Sequence, residues 1–172
     1  MSRREGALAR IEARIERLEA FEAVRNVVAR YAIAADARRG TCVDLESIMA
    51  LFSAEATWDG GKRYGRHVGH ENVRTYLSQG KAGIDWSIHQ MVNVSLEFSD
   101  DLRKARGRWY LLEMARMGTT QHRPGLVFLA GIYDNEFLYE NGEWKFSCMK
   151  FDCQSIVETP EVWLEPHVRE ER

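Results

Sequence analysis

Apolar residues Leu8, Ile11, Ile15 and Leu18 recur at spacings of three and four, and Phe21, Val24, Val28, Tyr31 and Ala35 continue the pattern one residue out of phase. That period is one face of an α-helix, so the spacing predicts one long N-terminal helix or two abutting ones. Arg38 and Arg39 followed by Gly40 supply a stop, because cations suit the negative end of the helix dipole and glycine accepts the left-handed turn that often follows. Val43, Ile48, Leu51 and Phe52 outline a short second helix with Asp44 as its cap. A third is expected from Glu71 to Leu77, entered through Gly69 and left through Gly80. Between these two, Thr57 to Tyr64 reads as a short strand and turn.

After Gly83 the texture changes to extended segments at about 86–98, 104–118, 125–139 and 143–157. Ser99-Asp100-Asp101, a polar loop from Thr119 to Pro124, and Asn141-Gly142 separate them, the last being a two-residue hairpin signal. Helices first and an antiparallel meander afterwards give the α+β class, with a curved antiparallel sheet wrapped as a cone-shaped barrel around the long helix and two shorter ones. No repeat, low-complexity tract or linker divides the chain. Residues 1–158 are therefore expected to form one domain with a helical extension over about 1–20, followed by an irregular tail over 159–172 in which Trp163 is placed to dock on the body or on a partner.

Composition narrows the chemistry. A chain of 172 residues that is 45% hydrophobic and 29% charged has an ordinary globular balance. Its net charge of −2 leaves no basic surplus for phosphates, which argues against nucleic acid and for a neutral small molecule. Charged residues throughout the first thirty positions, and the lack of a long apolar run, predict neither signal peptide nor membrane span and hence a cytoplasmic protein. Cys42, Cys148 and Cys153 form no Cys-x-x-Cys pair and read as reduced, packed thiols. His67, His70 and His122 lack ligand spacing for zinc or iron, and there is no glycine-rich phosphate loop or Gly-x-Ser-x-Gly, so no metal and no cofactor are expected.

Four polar residues stand on otherwise apolar elements. Alternation along 104–118 puts Ala105, Gly107, Trp109, Leu111, Glu113, Ala115 and Met117 on one face, a row with a single carboxylate. A carboxylate in such a row acquires a partner or a raised pKa, and groups of that kind gather at functional sites; Glu113 is read equally well as pairing with Arg116 at an exposed strand end. Asp36 closes a helix at the negative end of its dipole, where a carboxylate is disfavoured, and is placed either for function or for a surface pair with Arg38 or Arg39. Tyr31 reads as a core aromatic unless the helix end crosses a cavity opening. His89 shares its side with Asn93, Ser95 and Glu97, opposite the apolar row Ile88, Val92, Val94, Leu96 and Phe98. Read flatly it faces solvent, unless a bulge near the strand start re-aims it.

The pieces Arg30-Tyr31-Ala32-Ile33-Ala34-Ala35-Asp36, Leu51-Phe52-Ser53-Ala54-Glu55-Ala56-Thr57-Trp58, Ser87-Ile88-His89, Gly107-Arg108-Trp109-Tyr110, Gly131-Ile132-Tyr133-Asp134 and Asn141-Gly142-Glu143-Trp144-Lys145 together resemble the SnoaL-like branch of the nuclear-transport-factor-two-like superfamily, over most of residues 20–157. The resemblance implies a cystatin-like α+β cone, and within the branch the chain is most similar to the bile-acid 7α-dehydratase and scytalone dehydratase type. That likeness implies Tyr31, Asp36, His89 and Glu113 as catalytic residues, with Glu113 a methylene longer than the aspartate of that group. It implies cofactor-free acid–base lyase chemistry on a hydrophobic, hydroxylated aromatic, polyketide or steroid-like compound. Trp58, Trp86, Met91, Trp109 and Phe128 are candidate pocket walls, each readable also as plain core. The same cone hosts ketosteroid-isomerase-like isomerases, ligand-binding proteins and the non-catalytic β subunits of ring-hydroxylating dioxygenases, which remain alternatives. A homo-oligomer, dimer or trimer, is expected from the open sheet face and from the Leu8, Ile11, Ile15, Leu18 stripe.

Overall fold

The structure is a computed structural model that describes residues 3–37, 43–80, 84–117 and 125–160. Arg38, Arg39, Gly40, Cys42, Gly83, His122 and Trp163, all weighed above, lie outside the described residues. Helix α1 (Arg3–Ala35) is one continuous rod. From Val24 onward it is buried through Val24, Val27, Val28, Tyr31, Ala34 and Ala35, whereas residues 8–19 are exposed throughout. The one-residue phase shift thus separates a helix half that packs from a half that does not.

Helix α2 (Leu45–Met49) carries the expected cap: the Asp44 carboxylate accepts the Ser47 N–H at 3.0 Å and the Ser47 hydroxyl at 2.6 Å. Strand β1 (Phe52–Asp59) begins five residues before the predicted strand, at a position assigned from spacing to the second helix. The cause is tertiary. The Phe146 N–H donates to Leu51 O at 2.8 Å and Phe52 pairs with Phe146 across the sheet, so a short apolar run of ambiguous period is pulled into a ladder. A helical turn, α3 (Gly61–Tyr64), and a three-residue strand, β2 (Arg66–Val68), follow, both too short to leave a periodic signal. Helix α4 (His70–Gly80) matches the expected third helix.

The four long strands lie where alternation put them: β3 (Ile84–Phe98), β4 (Lys104–Met117), β5 (Gly125–Glu140) and β6 (Glu143–Pro160). Thr159 and Pro160, assigned to the tail, are strand residues paired with Leu126 and Gly125. Asn141 and Gly142 turn the last hairpin with φ of 52° and 84°, the two positive values that a type I′ turn requires. The sheet order is β2-β1-β6-β5-β4-β3. The meander is antiparallel as expected, but β1 joins β6 in parallel, so the sheet is mixed, and it is open rather than closed into a barrel. Helix α1 packs on β3 and β6, over a core in which Tyr31, Phe52, Trp109, Phe137 and Phe146 meet ring to ring. No helix among the described residues is long and apolar enough to cross a membrane.

Candidate functional site

The end of α1 is stitched to the start of β3. Ala37 N donates to Ser87 Oγ at 2.9 Å, and Ser87 N donates to Ala37 O at 2.8 Å. The hydroxyl of buried Ser87 also donates to Ala35 O at 3.5 Å, one of the carbonyls that a helix end leaves unpaired. Between these bonds Asp36 Oδ1 accepts two N–H groups of one residue, the His89 backbone N–H at 2.7 Å and His89 Nδ1 at 3.0 Å. The carboxylate that the helix dipole disfavours is thus held by donors from the neighbouring strand. Those bonds fix both the strand's position and the imidazole's orientation.

His89 faces inward, contrary to the flat reading of β3. The strand carries a bulge between Val92 and Ser95, with Asn93 at φ 58°. Before the bulge Ser87, His89 and Met91 oppose Ala115, Glu113 and Leu111, the inner row of β4. After it the phase changes, and Val94, Leu96 and Phe98 pack on the core. The apolar row read from sequence therefore belongs to two faces, with Ile88 and Val92 on the outer one. The bulge lies in mid-strand rather than near the strand start, at an asparagine, which tolerates the left-handed region better than most residues.

Glu113 is the direct cross-strand partner of His89, and its Oε1 lies 3.5 Å from His89 Nε2. Side-chain exposures of 5% for His89, 18% for Asp36 and 14% for Glu113 make this a largely buried acid–imidazole–acid chain. The alternative partner Arg116 is three positions away and so on the other face of β4, paired with Trp86, its Nε buried without a hydrogen bond. Tyr31 is buried, and burial pushes its phenol up to about 12; hydrogen bonding to Tyr133 opposes this and the charge of Glu113 adds to it. It therefore stays a proton donor at any ordinary pH. The Trp58 indole lies close enough to lower that pKa, yet its N–H has no partner with hydrogen-bond geometry. Tyr133, whose phenol burial also pushes up, was not singled out from sequence; nor was Ser87. Neither stands out by pattern, since one is an aromatic in a strand row and the other a small polar residue between Trp86 and Ile88.

Of the five candidate walls, Trp58 and Trp109 are buried in the core and Met91 lies on the inner row. Trp86 and Phe128 do not join them: Trp86 pairs with Arg116, and Phe128 pairs with Met114 and is 40% exposed, so strand alternation sends both to the outer face. His67 and His70 are tied to backbone, through Nε2 to Tyr64 O at 3.0 Å and to Met49 O at 3.1 Å, and His67 stacks on Tyr76 at 4.1 Å. Among the described residues no group of three or more His, Cys, Asp or Glu is arranged to hold a metal ion. An open groove of about 730 Å³ between α1 and the β5–β6 hairpin is lined by none of the four candidate catalytic residues.

The fold has many solved counterparts. A hexachlorocyclohexane dehydrochlorinase from Novosphingobium barchaimii is 19% identical, with 88% of this chain and 98% of that one covered at a TM-score of 0.74. A candidate scytalone dehydratase from Novosphingobium aromaticivorans is 17% identical, with 87% and 91% covered at 0.66. A further protein of that organism, described as nuclear-transport-factor-two-like with a cystatin-like fold, is 14% identical, with 86% and 90% covered at 0.69. At such identities the likeness is one of fold. No curated protein matches the chain significantly. The sequence model of the SnoaL-like domain matches residues 16–150, a span that contains the whole Asp36–His89–Glu113 chain. On that match, which spans well over half of the sequence, the chain belongs to the SnoaL-like domain family.

Proposed function

We propose that the chain is a cofactor-independent acid–base lyase of dehydratase type, acting on a hydrophobic, hydroxylated aromatic, polyketide or steroid-like molecule. The observation that carries the proposal is one imidazole held between two carboxylates, 3.0 Å from Asp36 and 3.5 Å from Glu113. Asp36 accepts Nδ1–H, which fixes the tautomer and leaves Nε2 as the nitrogen that exchanges protons. Nε2 removes a proton beside a carbonyl or electron-rich ring, and the C–H pair becomes the new double bond. That proton passes from Nε2 to the Glu113 carboxylate 3.5 Å away and on to the departing hydroxyl, which leaves as water. Tyr31 donates a hydrogen bond to the developing oxyanion or to the departing oxygen.

The short gap between Nε2 and Glu113 supports this division of labour. The proton that Nε2 takes from the substrate crosses that gap to the carboxylate and leaves with the departing oxygen, so one turnover restores both groups. The same relay would serve an isomerase on a substrate without a leaving group, returning the proton to another carbon. Two of the structural counterparts are named for eliminations, dehydrochlorination and scytalone dehydration. The test is mass spectrometry of a panel of hydroxylated steroid, polyketide and aromatic compounds incubated with the protein and with His89→Ala. The proposal expects loss of water from at least one ring class with the parent protein only. Isomers of unchanged mass would replace the lyase by an isomerase, and equal product with His89→Ala would remove the dyad from the account.

A further inference from the structure

The solvent-facing half of α1 carries a seam that the candidate site does not use. Leu8, Ile11, Ile15 and Leu18 are between 48% and 66% exposed, on a stretch where every residue from 8 to 19 is exposed. At about 100° per residue their stripe is centred roughly 150° from the buried face of Val24, Val28 and Tyr31, so it points away from the body. The spacing is that of heptad positions a and d, with Leu8 and Ile15 at a and Ile11 and Leu18 at d.

Charge decides what fits this seam. Glu12 and Glu19 occupy e positions and Arg14 the g position between them. In a parallel pair of helices, g of one chain meets e of the next heptad on the other, so each Arg14 faces Glu19 of a second copy. In an antiparallel pair e meets e and g meets g, which sets Glu12 against Glu19 and Arg14 against Arg14. The next a and d positions are Glu22 and Arg25, which pair within their own helix at 3.8 Å and end the seam. Two heptads are too few to hold an isolated helix in water, but here the helix is already nucleated because it runs on into the packed body.

We propose that the first turns of α1 form a parallel two-stranded coiled coil with the same segment of a second copy of this chain, holding two bodies side by side. All four seam residues are exposed and outside the core, so substituting them leaves the body intact. The test is sedimentation velocity of the full chain over a concentration series, with circular dichroism as a fold check, for the parent, Ile15→Glu, Arg14→Glu and the charge swap Arg14→Glu/Glu19→Arg. The expected result is an assembling parent, dissociation with Ile15→Glu, association about tenfold weaker with Arg14→Glu, and recovery in the swap. Leu18→Cys should also cross-link to itself on mild oxidation well beyond the parent, since only a parallel pair brings d opposite the same d. A parent that stays monomeric, an assembly indifferent to Ile15→Glu and Arg14→Glu, a swap that fails to restore it, or no added cross-linking from Leu18→Cys would each overturn the proposal.

Discussion

Asp36, His89 and Glu113 come from a helix end and two strands, and each is held by a bond that can be named. Asp36 was legible in the sequence because a carboxylate at a helix C-terminus is out of place, and Glu113 because it is the one charge in an apolar row. His89 was not, since its alternation pattern is true only of a strand without a bulge. Tyr31 read as core and is core; its proximity to Tyr133 and Glu113 depends on the packing of α1 over the sheet, which no local pattern encodes. Burial gives Tyr31 a checkable signature. Its phenol titrates near 10 in the unfolded chain and at about 12 in the fold, so its contribution to stability is full below pH 10 and is lost as the pH rises toward 12. From pH 8 to pH 11 Tyr31 alone removes on the order of 1 kcal/mol. Urea unfolding of the parent and of Tyr31→Phe should show a fall smaller by that amount in the variant, and parallel falls would mean that the phenol is not buried.

At the scale of elements, the long strands were readable because alternation over a dozen residues outweighs any local ambiguity. Strands β1 and β2 were not, because a short apolar run next to a glycine-rich turn is decided by the sheet that receives it. The element that matters most for the site is the bulge in β3, since it points His89 and the later core residues to the same side. Asn93 sits at φ 58°, where a β-branched side chain is strained and glycine is not. Asn93→Val should lower stability by about 1–2 kcal/mol and cost activity beyond that loss, as the strand slips toward an unbulged register. Asn93→Gly should keep both within a small margin. Activity assays alongside denaturant melts separate the two effects, and a fully active Asn93→Val would show that the bulge does not aim the histidine.

For the whole molecule, the sheet brings residues far apart in sequence into one largely buried acid–imidazole–acid chain, while the first half of α1 keeps an exposed apolar stripe. The α+β class was readable because helices precede the strands. The parallel joint between β1 and β6 and the open edge were not, since they depend on how the two ends of the fold close on each other. The central claim is that Asp36, His89 and Glu113 act as one acid–base unit. The most direct measurement is the turnover of the parent beside His89→Ala, Asp36→Asn, Glu113→Gln and the Asp36→Asn/His89→Ala double variant, on the compound that the panel identifies, with the fold of each verified. Concerted action predicts losses of about 10²- to 10⁴-fold for the single variants. It also predicts that the double variant falls little below His89→Ala alone, because residues that act as a unit are not additive. Folded variants that keep rates within a few-fold of the parent would contradict the account.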